Sequence, residues 1–121
     1  MITSQTLKLP TKEITKGDTF FEVYTFTDDN DQPIDLTVYD DIKMDIRRGL
    51  NERSALIYSA SLDNGEIIII DINTLSIEIP KTETVNWRGG DYHRDVRFFY
   101  GATIQTFLAG HIKVRENITI A

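Results

Sequence analysis

Apolar residues recur along this chain in short runs, broken by turn chemistry at intervals of about ten residues. Thr19 to Thr27 (TFFEVYTFT) is a run of aromatic and β-branched residues and predicts a strand. Ile42, Met44 and Ile46 alternate with Lys43, Asp45 and Arg47, the pattern of a half-buried strand. Ala55 to Leu62, Ile67 to Ile72, Leu75 to Ile79, Asp91 to Tyr100, Thr103 to Leu108 and Ile112 to Arg115 predict further strands. Pro10 cannot donate to a ladder, so residues 1–15 are expected to form an extended N-terminal arm or an edge strand. Lys81 to Trp87 is the sole helix candidate, one or two turns long, with Thr82 placed to cap it and Trp87 to close onto the core.

Turn signals separate these runs. Asp28 to Pro33 is a polar cluster whose side chains bond nearby backbone, and Asn64-Gly65 is a hairpin signal because both residues tolerate positive φ. Lys16-Gly17-Asp18, Gly101-Ala102 and Ala109-Gly110 are read as turns, and Arg48 to Arg53 as a loop. Eight or nine short strands with at most one short helix near residues 81–87 predict an all-β antiparallel sandwich or small barrel. Without an internal repeat or linker, residues 1–121 read as a single domain.

Composition agrees. There are 17 Ile, 14 Thr and 5 Val against 8 Leu and 5 Ala, and branching at Cβ suits a pleated surface better than a helix. The chain lacks cysteine, which excludes a disulfide scaffold, a thiol enzyme and a Cys-ligated metal. Its formal net charge of −6 argues against a nucleic-acid partner. The longest aliphatic run, Ile67 to Ile70, is too short to span a membrane as a helix, and Met1 to Gln5 does not resemble a signal peptide.

Candidate chemistry is sparse. His93 and His111 are the residues able to act as bases near neutral pH; His93 shares a strand face with Asp95, which permits an ion pair but builds no catalytic set. Counted from Asp28, the acidic run places Pro33 and Tyr39 where a calcium loop needs Gly and Glu. Gly89-Gly90 precedes a strand, so it forms no phosphate-binding helix start. Arg47, Arg48 and Arg53 read as a solubilising loop. No catalytic residue, metal or cofactor is expected. Three segments are apolar on both strand faces: Phe20-Phe21 with Val23-Tyr24, Ile67 to Ile70, and Phe98-Phe99-Tyr100. A sandwich strand buries one face, so the outer faces of these three call for a cover.

Several motifs stand in order: Lys16-Gly17-Asp18-Thr19 before the aromatic strand, Pro33-Ile34-Asp35-Leu36-Thr37 after the acidic turn, and the alternating strand ending in Ile46-Arg47. Asn64-Gly65 and Ile77-Glu78-Ile79-Pro80 follow, then Gly90-Asp91-Tyr92-His93-Arg94-Asp95-Val96 and Thr106 to Val114, closing in Ile118-Thr119. From about Leu7 to Ile120 the set resembles the immunoglobulin-like N-terminal domain of phage baseplate upper proteins and related virion accessory proteins. Arg94 departs from the family's pattern, which has tyrosine before the aspartate.

The resemblance implies an immunoglobulin-like β-sandwich and a non-enzymatic structural role in a phage or prophage virion, at the tail, baseplate or neck. It also implies other virion proteins as partners, a homo-oligomer and assembly in the bacterial host cytoplasm; neither nucleic acid nor membrane is expected as a partner, on the charge and the short aliphatic runs given above. The expected contact residues are Phe20, Tyr24, Ile67, Ile69, Phe99 and Tyr100, with the arm Ile2 to Pro10 pairing at an edge. The chain ends just after its last expected strand, so contacts are expected on the domain's own surface. A capsid decoration or cement protein is one alternative. A carbohydrate-binding module, stacking sugars on Trp87, Tyr92 and Tyr100, is another.

Overall fold

Ile42, Met44 and Ile46 are fully buried while Lys43 and Arg47 on the opposite face are partly exposed, so the period of two read from the sequence is the pleat of a strand. The computed structural model describes residues 7–51 and 53–116. Nine strands occur among them: β1 (Leu7–Lys8), β2 (Lys12–Thr15), β3 (Phe20–Thr25), β4 (Asp41–Arg48), β5 (Ala55–Ser61), β6 (Ile67–Asp71), β7 (Thr74–Ile79), β8 (Gly90–Tyr100) and β9 (Thr103–Arg115). A 3-10 turn covers Leu36–Val38, and a single helical turn, α1, covers Lys81–Thr84.

The strands form two sheets. The larger has the order β1-β9-β8-β4-β5, with β2 also on β9, and the smaller has the order β3-β7-β6. The two sheets make an all-β sandwich, with β5 as the edge strand beside β4. The core fills the space between the sheets: Phe20, Leu75, Ile77 and Ile79 from the small sheet meet Ile42, Met44, Ile46, Val96, Phe98 and Ile112 from the large one. Tyr92 near the start of β8 donates to the Arg88 carbonyl at 2.5 Å, pinning the preceding corner.

Several details differ from the sequence reading. The arm joins the sheet edge in parallel, not antiparallel, with Ile14 beside Val114. Its exit at Gly17 leads to β3 in the other sheet, so no hairpin fixes an antiparallel direction. Asn64-Gly65 is likewise no hairpin. It carries the chain from β5 in the large sheet to β6 in the small one. The Asn64 carboxamide builds that crossing, accepting from the Ser61 and Glu66 amides and donating to the Ser59 carbonyl, while Gly65 takes φ 82°. Ala109-Gly110 is no turn, because β9 runs on through it. Thr82 does not cap α1; the N-cap position falls on Pro80, without a side-chain bond. The expected arm residues 2–6 and the expected ending 117–120 lie outside the described residues.

Candidate functional site

β3 sets the first question, because its two faces are chemically unusual. Phe20, Glu22 and Tyr24 point inward, and Phe21, Val23 and Thr25 point outward. Glu22 can face inward because Arg94 of β8, itself 1% exposed, meets it there in a salt bridge. The same guanidinium donates to the Tyr24 hydroxyl at 2.9 Å and to the Pro10 carbonyl at 2.8 Å, tying in the arm. The Tyr24 hydroxyl donates to Glu22. Burial pushes the Tyr24 phenol far above its ordinary range, against the opposing pull of Arg94.

Turning Glu22 inward turns Phe21 and Val23 out. They are 51% and 47% exposed. Across the small sheet, Val23 pairs with Ser76 of β7 and Ser76 with Ile68 of β6. Ile68 and Ile70 are 53% and 57% exposed on the same outer face. The result is an apolar ridge on each outer strand, with Thr74 and Ser76 between them.

The outer face of the large sheet is polar. Asp45 and Asp95 are paired in register across β4 and β8, and His93 and His111 across β8 and β9. Asp45 is buried there, accepting from Ser59 at 2.5 Å and from Arg97. The His93 and Asp95 side chains approach to 3.5 Å, yet His93 Nδ1 and Asp95 Oδ1 are buried without a hydrogen-bond partner. Burial raises the Asp95 pKa, and the neighbouring Asp45 adds to the rise. His111 Nε2 donates to the Leu50 carbonyl at 3.1 Å. Among the described residues no group of three His, Asp or Glu side chains is placed to hold a metal ion.

A pocket of about 340 Å³ opens at one end of the sandwich, lined by Arg48, Ile57, Glu83, Asn86, Trp87, Arg88 and Tyr92. Several of its polar groups bond one another. Arg48 donates to Tyr92 and to the Arg88 carbonyl, and the Trp87 indole donates to Glu83 at 3.0 Å.

The six expected contact residues separate. Phe20 and Ile67 are core residues, 0% and 1% exposed, so the expectation that they face outward is corrected. On β3 the reason is the inward Glu22. On β6 four consecutive isoleucines carry no alternation, and a slip of one residue exchanges the faces. Tyr24 and Ile69 are partly buried against the core. Phe99 lies half-buried under Lys43 and Arg97, and Tyr100 is 51% exposed. The outward set that sequence reading missed is Phe21, Val23, Ile68 and Ile70. Trp87 and Tyr92, at 2% and 1% exposed, are not open platforms for sugar rings. No protein-family model matches the chain, and no curated protein matches it.

Proposed function

We propose that this chain is a non-enzymatic structural component of a phage or prophage virion, which assembles by burying the outer surface of its sandwich against neighbouring virion proteins. The ordered motifs that resemble the baseplate family support the virion setting. The observation that carries the assembly role is the uncovered apolar face formed by Phe21, Val23, Ile68 and Ile70 on the small sheet. Clustered apolar side chains exposed on one sheet face support a protein-contact role.

Immunogold labelling of particles purified from the strain that encodes the chain tests this reading. Gold on the particles is expected, and its position separates tail, baseplate or neck from the capsid surface. Protein found free in the lysate, with unlabelled particles, overturns it.

A further inference from the structure

We infer that His93 and His111, paired across β8 and β9, form a binding site for a divalent transition-metal ion, which they hold through their Nδ1 atoms while water completes the coordination. The site lies on the large sheet, away from the apolar face of the small one.

The pleat brings the two rings together. Tyr92 and Arg94 on β8 and Ile112 on β9 are buried inward, so His93 and His111 stand on the outer face. They are direct register partners, and their ring centres lie 5.8 Å apart. A metal held by two imidazole nitrogens at about 2.0–2.1 Å sets the ring centres roughly 5–6 Å apart. The strand pairing therefore sets the spacing that one shared ion needs.

Hydrogen bonding selects the nitrogen. His111 turns Nε2 to the Leu50 carbonyl at 3.1 Å. A carbonyl only accepts, so Nε2 carries the proton, and Nδ1 of the neutral ring keeps its lone pair. His93 turns Nε2 to Asp95 Oδ2, 3.5 Å away. Its Nδ1 is buried and has no hydrogen-bond partner. Histidines that ligate metals donate their other ring N–H to a carboxylate or a backbone carbonyl, which fixes the ring. Here one ring has the carboxylate and the other the carbonyl. A buried lone pair without a donor costs free energy, and a bound ion is one way to satisfy it.

Ligand chemistry narrows the ion. Neutral imidazole suits Zn²⁺, Ni²⁺ and Cu²⁺, whereas Ca²⁺ and Mg²⁺ want oxygen ligands. Among the described residues no group of three His, Asp or Glu side chains can hold a metal, so Asp95 orients His93 and is not a third ligand. With two protein ligands the ion is exchangeable, and the chain does not need it to fold. The local charge permits its entry. Arg47, the register partner of His93, is turned to Asp45 and to the Ser54 carbonyl, and Arg97 also bonds Asp45. Asp45 and Asp95 balance these two cations, and Lys113 is exposed to water.

Calorimetric titration of Zn²⁺ into the EDTA-treated full chain tests the site. One ion per chain is expected. His93→Gln and His111→Gln should each weaken binding by roughly tenfold or more, since even the loss of an orienting partner costs about that much. Asp28→Ala, in the acidic turn, should leave it unchanged. Imidazole ¹⁵N shifts of the Zn²⁺-bound chain should move at Nδ1 and keep the proton at Nε2. Should His93→Gln fail to fold, as judged by Trp87 emission, His111→Gln carries the expectation alone. Failure to bind Zn²⁺ at millimolar concentration overturns the inference, as do binding indifferent to a folded variant and coordination through Nε2.

Discussion

Arg94 and Glu22 join the two sheets through the interior at the place where antibody domains carry their inter-sheet disulfide. The position follows from Tyr92, which bonds back to the Arg88 carbonyl two residues before Arg94. In antibody domains that tyrosine stands two residues before the second cysteine. This chain has no cysteine, and an ion pair bridges β3 and β8 instead. The difference has an energetic consequence. A disulfide stabilises mainly through the unfolded chain, whereas a buried ion pair must first overcome the desolvation of both charges.

Arg94→Met should therefore be strongly destabilising, because it leaves the inward Glu22 carboxylate without its cation. Removing one partner of a buried pair costs about 3–5 kcal/mol. Combining it with Glu22→Gln should restore most of the loss, since the amide oxygen still accepts from Tyr24. Urea unfolding followed by Trp87 emission reads both. Equal stability of Arg94→Met and the native chain would show that the pair is not closed in solution.

Asp95→Asn should raise the melting temperature at neutral pH. In the folded chain burial and Asp45 hold the Asp95 pKa above its ordinary value. The folded state therefore keeps this proton at pH values where the unfolded chain has released it, and stability falls as pH rises through that window. The amide removes this term. Its advantage should be full above the raised pKa and shrink as pH falls through it. Thermal melts of both proteins across acidic to neutral pH check the sign; a lower melting temperature for Asp95→Asn at neutral pH contradicts it.

Gly110→Ala should loosen the N-terminal arm. A Cβ at Gly110 would lie 2.9 Å from Leu9 Cβ and 3.0 Å from the Leu9 carbonyl oxygen. Leu9 also donates its amide to the Ala109 carbonyl at 2.7 Å, so the arm cannot move away without losing that bond. Overpacking of this kind costs about 1–3 kcal/mol. Hydrogen exchange at the Leu9 amide should accelerate while the amides of β4 and β8 stay protected.

Alternation was enough to place β4, where Ile42, Met44 and Ile46 face the core and no charged residue interrupts the apolar set. It failed on β3 because a carboxylate occupies an inward position. Nothing in TFFEVYT reveals that its cation is on β8, some seventy residues away in sequence. It was silent on Ile67 to Ile70, where both faces are equally apolar and the Asn64 crossing decides which is inside. Asn64-Gly65 announced a turn, but its local chemistry is the same whether the chain returns to its own sheet or changes sheets. The sandwich was thus legible, while the outward face of the small sheet depended on long-range pairing.

The acidic turn offers a last test. Asp28 accepts from the Asn30 amide at 2.8 Å and from the Gln32 amide at 3.0 Å through the same carboxylate oxygen. Its carbonyl accepts from the Asp31 amide, and Asp31 sits at φ 60°. The turn is thus organised by its own side chain. EDTA should leave the melting temperature unchanged. Asp28→Ala should cost about 1 kcal/mol, the usual net worth of such a bond, with or without added calcium. A fall of several degrees with EDTA, reversed by calcium and absent in Asp28→Ala, would instead make Asp28 a calcium ligand.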